Sequence, residues 1–469
     1  MQSLPETNHL IIKLRSVADT LKEADLRARF FLQLLVRLNP MNLTAKILLA
    51  LLLLQCKPGL TQEFTIPAIS DLPRIDRQSP RPATAILRNS AFILKLKHHA
   101  PLGSGYVIIT DHTDDPYMSA LRELAEYRQA KIIHVADLGK IYQQDVLSAV
   151  RKQLIDLKPQ YVAIAPRLES YRENMLLGMW ELLSTLDDDK YLDAYPGVLL
   201  ASDAKSFVAL IQRSIKFESI AQKQLKPLAI SQVPSNQESR SLQKAGILRN
   251  VFSTFGIQTP TIAIYTPAAD DAPHLSGPQT WNIQMKNKGD FVKKFEPAAA
   301  TALADASLVI MHGHGSPGMS CSVDIDGILT RSNNQIVLSG SCFAAAPLKT
   351  DFPKMTRIPG GYAVTPRQSF STRYIDRGAT VFFGHMRLSS GFPHLYPVLE
   401  KWMQGKSVGE SYQQLINSLM DMRGFGPGKF VVQEVTPEQR GVPQNILLYV
   451  IIGDPALVPL QPLEKINKR

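Results

Sequence analysis

From Gly105 onward the chain alternates short apolar runs with longer mixed segments. Tyr106–Thr110, Lys131–Val135, Tyr161–Ala165 and Val198–Leu200 have the length and β-rich composition of strands. The intervening Tyr117–Arg128, Gln144–Leu157, Tyr171–Ser184 and Lys205–Ile215 read as helices. The stretch 217–240 is polar and carries Pro and Ser, which marks a subdomain boundary, with Leu228–Ile230 as a short strand inside it. The rhythm then resumes. Ser241–Phe255 reads as a helix, Thr261–Tyr265 as a strand and Asp290–Ala304 as a helix. Two further apolar runs follow, then a strand at Ala379–Gly384, helices near Pro397–Met403 and Gly409–Met420, and a closing strand at Ile446–Ile452. Alternation of this kind predicts an α/β protein, an α-β-α sandwich on a mostly parallel sheet, in two tandem subdomains. Residues 101–235 form the first, 236–462 the second, and 463–469 a tail.

The N-terminal region has a different pattern. Met41–Cys56 reads MNLTAKILLALLLLQC, with Lys46 ahead of an apolar core, Ile47–Leu54, of signal-peptide length and too short to span a bilayer. This predicts a signal peptide over 41–58 and an N-terminal extension over 1–40 that precedes the physiological start. Residues 59–100 are an irregular leader, rich in proline at first. The expected location is therefore outside the cytoplasm: periplasmic, cell-surface or extracellular. Leu53-Leu54-Gln55-Cys56 loosely resembles a lipoprotein signal, but Gln55 stands where a small residue is usual, so Cys56 is only a secondary candidate for a lipid anchor.

Composition narrows the classes. Hydrophobic residues make up 45% and charged residues 20% of 469, as in a globular protein. The net charge of +11 includes no basic block, so nucleic acid is not an expected partner. The 3 cysteines, Cys56, Cys321 and Cys342, are too few for a disulfide framework and have no zinc spacing. No metal or other cofactor is expected, and nothing in the sequence supports a structural calcium ion. Asp187, Asp188 and Asp189 read as a solvated run ending a helix.

The chemistry concentrates after the two apolar runs of the second half. Ser307-Leu308-Val309-Ile310-Met311 leads to His312-Gly313-His314-Gly315, and Gln335-Ile336-Val337-Leu338-Ser339 leads to Gly340-Ser341-Cys342. A buried parallel strand delivers the residues that follow it to the carboxyl edge of its sheet, where ligands bind. A base and a thiol brought to that edge are the minimum apparatus of a cysteine hydrolase. Cys342 is the candidate nucleophile and His314 the candidate general acid/base, with His312 as the rival base. The N–H groups of Gly315 and Cys342 are the candidate oxyanion hole. Cys321 follows no apolar run and reads as structural. His385, after another strand, reads as packing, and Arg373 and Arg377 as surface residues. Gly453-Asp454-Pro455 reads as a turn ending the last strand. No Gly-x-Ser-x-Gly elbow occurs, which disfavours a serine esterase.

LVIMHGHGS and IVLSGSCFAA resemble the gingipain family of clan CD cysteine peptidases, relatives of caspases and clostripain. In that clan an apolar strand ends in His-Gly and the next ends in the nucleophilic Cys. The opening β–α–β at 106–135, the Pro-x-Tyr strand at 158–165, DKYLDAYPGVLL at 189–200 and Gly453-Asp454-Pro455 resemble further fold markers of the family. The resemblance implies a caspase-like fold, a protein or peptide substrate, and acyl transfer through a Cys342 thioester. Two markers depart from the family. Ala165-Pro166-Arg167 stands where Val-Gly-Asp is usual, and Leu200-Ala201-Ser202 where Gly-Arg is usual. These departures leave the acid that orients the histidine open, with Asp193 the best candidate. An endopeptidase, a secretion transpeptidase using the same dyad, and an inactive binding or assembly module with this fold are the competing readings.

Overall fold

A computed structural model describes residues 94–234, 239–269, 273–287, 290–329, 334–346, 369–422 and 446–466. The extension, the signal peptide, Cys56 and nearly all of the leader lie outside the described residues. Among those described, no helix is long and apolar enough to cross a membrane.

The first half contains β1 (Gly105–Thr110), α1 (Asp115–Arg128), β2 (Lys131–His134), α2 (Gln144–Leu157), β3 (Pro159–Ala165), α3 (Glu173–Leu183), β4 (Tyr195–Val198) and α4 (Ala204–Ile215). Local chemistry sets the ends. Pro116 opens α1, and the left-handed Gln129 (φ 52°) closes it by donating to the Ala125 and Glu126 carbonyls. The Asp203 carboxylate caps α4 by accepting the Ser206 N–H at 2.8 Å.

The second half contains β5 (Pro227–Val233), α5 (Ser239–Asn250), β6 (Thr261–Tyr265), β7 (Thr280–Gln284), α6 (Pro297–Asp305) and β8 (Leu308–His312). Three short strands follow: β9 (Gly315–Ser316), β10 (Met319–Ser320) and β11 (Val323–Asp324). Then come β12 (Gln335–Ser339), α7 (Phe370–Asp376), β13 (Ala379–His385), α8 (Phe392–Met403), α9 (Val408–Met422) and β14 (Tyr449–Ile452).

One 11-stranded sheet runs through both halves in the order β2-β1-β3-β4-β14-β13-β12-β8-β5-β6-β7. Neighbours pair in parallel except β13 and β14, which are antiparallel. The α/β class and the mostly parallel sheet are as the alternation predicts. The two halves are a single sheet, and its direction reverses at the β13/β14 seam. Helices pack in groups, with α1 on α4, α4 on α7, α2 on α3, and α8 on α9. The chain winds outward from β1 to β2, then back past β1 to β3. With right-handed crossovers this reversal puts α1 and α2 on opposite faces.

The core explains the apolar runs. β5, β12 and β13 are buried along their whole length, and Leu308–Met311 of β8 likewise. Covered on both faces, such strands read as continuous hydrophobic stretches.

Several elements differ from expectation. β4 begins three residues before Val198, because Tyr195, Pro196 and Gly197 pair with Tyr161, Val162 and Ala163. The expected boundary at 217–240 contains β5, which lies between β8 and β6 in the second half, so the segment 101–235 includes a strand of the other half. The expected helix at 290–304 starts only at Pro297, where proline favours the first turn, and Val292 instead bridges to Val323.

Candidate active site

In the second half β5, β6 and β7 run outward one way, while β8, β12 and β13 run the other. The order therefore switches between β5 and β8. Crevices at the carboxyl ends of strands form at such points. The His314 segment leaves β8 there, and the Cys342 segment leaves β12, its neighbour.

His314 is fixed by its backbone. Its N–H donates to the side-chain oxygen of Gln232 on β5 at 2.6 Å, and its carbonyl accepts from the Cys321 N–H at 2.8 Å. The side chain is exposed, and its ring makes no hydrogen bond or ion pair with any described residue. His312 is different. Its ring lies edge-on to Phe392 with centroids 6.0 Å apart, and its Nδ1 is shut off from solvent without a hydrogen-bond partner. Burial, aided by the charges of Lys244 and His314, pushes its pKa down to about 3. A ring that stays neutral at physiological pH, with its Nδ1 shut off, is a poor proton acceptor, whereas the His314 side chain is exposed.

Cys342 is partly buried just past β12. The Gly340 N–H donates to the Met311 carbonyl at 2.8 Å, tying the end of β12 to β8. Phe343 adopts the left-handed conformation (φ 59°), and its N–H donates to the Arg387 carbonyl at 2.7 Å. The Ser389 N–H points at Cys342 Sγ from 3.4 Å. Burial raises the thiol pKa, and N–H donors from Ser389 and from Cys342 itself oppose the rise. The resting sulfur is therefore a thiol that needs a base. The loop carrying Ser389 is itself held: Ser390 donates its N–H to the Tyr449 hydroxyl at 3.0 Å, and the Ser389 hydroxyl lies 2.9 Å from the same oxygen.

The two segments meet at Gly315. A Cβ there would stand 2.1 Å from the Cys342 carbonyl oxygen and 2.8 Å from Ser341 Cβ, so only glycine fits. Gly315 begins β9, opposite Ser320 of β10. With Cys321 donating to His314, antiparallel alternation puts Gly315 at a non-hydrogen-bonded position, its N–H turned away from β10. The Cys342 N–H donates to no carbonyl among the described residues.

A buried hydroxyl cluster supports this junction. The Ser320 hydroxyl lies 2.8 Å from that of Ser341 and 2.9 Å from that of Ser339, and Cys321 Sγ lies 3.4 Å from Ser341 Oγ. Cys321 is fully buried, and burial pushes its pKa up to about 12, as an inert structural thiol requires. His385 is buried too, and its Nδ1 accepts the Arg387 N–H at 2.8 Å, which fits a packing role.

Asp193 does not join this group. It precedes β4, four strands from β8, roughly 19 Å away at about 4.8 Å per strand. Its Oδ1 lies 3.4 Å from His99 Nε2, and burial raises its pKa to about 6. No described carboxylate pairs with His314. Sequence reasoning missed Gln232, Ser389 and the hydroxyl cluster. Gln232 lay in a stretch that reads as a boundary, and Ser389 is 47 residues from the sulfur it contacts.

A mostly parallel α/β sheet places an exposed imidazole just past β8 and a partly buried thiol just past its neighbour β12, at one edge of the sheet. The model of peptidase family C25 matches residues 99–460, and the chain belongs to that family, the gingipain family of clan CD; it is a cysteine peptidase. No curated protein matches. Among solved structures, the Saccharomyces cerevisiae separase–securin complex is similar over 62% of this chain and 15% of its own, at 14% identity and TM-score 0.33. Ligand-free aspartate transcarbamoylase from Trypanosoma cruzi is similar over 63% of this chain and 86% of its own, at 10% identity and TM-score 0.18. A D-isomer specific 2-hydroxyacid dehydrogenase from Lactobacillus delbrueckii ssp. bulgaricus is similar over 58% and 94%, at 10% and 0.17.

Proposed function

We propose that the protein hydrolyses peptide bonds through a thioester on Cys342, with His314 as general acid and base. The abutment of Gly315 on the Cys342 carbonyl, which holds the histidine and cysteine segments together, carries this reading. His314 takes the thiol proton, and the thiolate forms a bond to the substrate carbonyl carbon. The carbonyl electrons move to oxygen, where the N–H groups of Gly315 and Cys342 receive the charge. As the C–N bond breaks, His314 gives its proton to the leaving amine. Water then attacks the thioester, losing a proton to His314, and the Cys342 thiolate leaves. The Ser389 N–H stabilises the sulfur whenever it is anionic.

The Met41–Cys56 segment supports action outside the cytoplasm. Fractionating cells that express the full chain tests this; a wholly cytoplasmic enzyme of unchanged mass counts against it.

The catalytic assignment is tested with a peptide bearing a thiol-reactive warhead. Wild type and Cys321→Ala should be labelled, and Cys342→Ala should not. Labelling that survives Cys342→Ala and disappears in Cys321→Ala overturns it. Adding an acceptor amine separates hydrolysis from transpeptidation, since hydrolysis releases a free carboxylate in its presence. A folded wild type that neither takes the label nor cleaves any member of a peptide library is a binding module.

A further inference from the structure

A second cluster lies in the first half of the sheet. His99 precedes β1, while Asp187, Asp189 and Asp193 lie in the loop between α3 and β4. One ligand atom from each of the four lies within 4.8 Å of all the others. Asp193 is fully buried, and its Oδ1 has no hydrogen-bond partner; its neighbour is His99 Nε2 at 3.4 Å. A buried carboxylate oxygen with no hydrogen bond and only this long ion-pair contact is costly unless a closer cation meets it.

We propose that these four residues bind one divalent transition cation, Zn2+ or Mn2+. Each carboxylate spends one oxygen on backbone. Asp193 Oδ2 accepts the Leu186 and Asp187 N–H groups, both at 3.2 Å, Asp187 Oδ1 accepts from Asp189 at 2.8 Å, and Asp189 Oδ1 accepts from Tyr191 at 2.7 Å. One oxygen per residue is left for an ion. Asp189 Oδ2 lies 3.7 Å from His99 Nδ1. Both approaches to the imidazole exceed a normal hydrogen bond of about 2.7–3.2 Å.

Charge points the same way. Three carboxylates face one imidazole, so even a protonated ring leaves an excess of two negative charges. The nearby cations are engaged elsewhere: Lys97 and Lys190 pair with Asp421 at 3.0 and 2.6 Å. A divalent ion bound to the neutral ring lowers the three negative charges to one. Tetrahedral ligands about 2.1 Å from zinc stand roughly 3.4 Å apart, so a small closure of the loop completes the site. One nitrogen among three carboxylates selects a transition cation over Ca2+ or Mg2+, which take oxygen only. The ion fastens the chain before β1 to the loop that feeds β4.

The test is titration of metal-stripped full-length Cys342→Ala protein, which lacks the reactive thiol, with ZnCl2, MnCl2 and CaCl2 by calorimetry. One equivalent of Zn2+ or Mn2+ should bind. His99→Gln and Asp189→Asn, both at partly exposed positions, should each weaken binding at least tenfold while their circular dichroism matches the stripped parent. Absence of Zn2+ and Mn2+ binding at about 1 mM overturns the proposal. So does binding that either variant leaves unchanged, or preference for Ca2+. None of these outcomes depends on catalysis at Cys342, so this site stands or falls separately from the peptidase mechanism.

Discussion

Gly315→Ala isolates the junction between the His314 and Cys342 segments. Ordinary van der Waals contact begins at 3.4 Å, and the new methyl would sit 2.1 Å from the Cys342 carbonyl oxygen, an overlap of 1.3 Å. Gly315 does not have a positive φ, so alanine brings no backbone strain of its own. The overlap is with backbone, and relief means moving one segment by about an ångström. A misplacement of about 1 Å can cost 10²-fold in rate, and loss of an oxyanion donor about 10²–10³-fold. We expect kcat/KM for a peptide substrate to fall by about 10²–10³, or roughly 3–4 kcal/mol of transition-state stabilisation. The melting temperature should fall as well, because the methyl also presses on fully buried Ser341, so the kinetics are read below it. Steady-state kinetics on a peptide from a library screen, with a thermal melt of the same sample, reads both quantities. Activity within threefold of wild type would refute the claim that this contact sets the catalytic geometry.

Other outcomes follow from the same structure. His314→Ala should lower kcat/KM by about 10²–10⁴, whereas His312→Gln should retain warhead labelling; the reverse would move the base to His312. His312 titrates near 3 when folded against about 6.5 when unfolded, so the unfolded state takes up the proton first as pH falls. Its contribution is complete above pH 6.5 and is lost below it, on the order of 2–3 kcal/mol by pH 4.5. Urea unfolding at pH 7.5 and 4.5 should show a shallower pH dependence in His312→Gln. Arg128→Met should destabilise by about 3–5 kcal/mol, because Asp454, fully buried, accepts from Arg128 Nε at 2.9 Å and Nη2 at 2.6 Å. Warhead labelling of this variant below its melting temperature should be unchanged.

The sheet was legible where burial is continuous. Ile108, Val162, Ile310 and Val337 are shut off from solvent on a sheet covered on both faces, so their neighbours read as plain apolar runs. Elements made by pairing were not. Thr280–Gln284 is an edge strand of half-exposed residues with no such run, and β9 to β11 are two residues each. His314 and Cys342 were visible because each follows its strand directly. Gln232 was not, because its role depends on β5 lying beside β8, a contact 82 residues long in sequence. The acid partner was misplaced for the same reason. Asp193 and His314 lie near one edge, but the order of strands between them, set by tertiary pairing, keeps them apart. Gly453-Asp454-Pro455 was read as a turn, and its aspartate proves to anchor α1 and, through the Tyr106 hydroxyl at 2.9 Å, β1.

The reversal at the β13/β14 seam gives the molecule two rims with different kinds of loop. On the catalytic rim the second half presents segments that leave its strands, and the first half presents segments that enter them. The opposite rim carries the strand exits of the first half, where Asp111, fully buried, accepts the N–H groups of Leu138 and Arg167 at 3.0 and 2.7 Å and closes the gap between β1 and β3. In the half without His314 and Cys342 the strand-exit switch between β1 and β3 is thus bridged by its own side chain and lies on the opposite rim. Its loops on that far rim can lengthen or be exchanged without touching the peptide-cleaving machinery. A substrate-gripping loop grafted onto this half reaches the rim of His314 and Cys342 only where the chain enters its strands, ahead of β1, β2, β3 or β4.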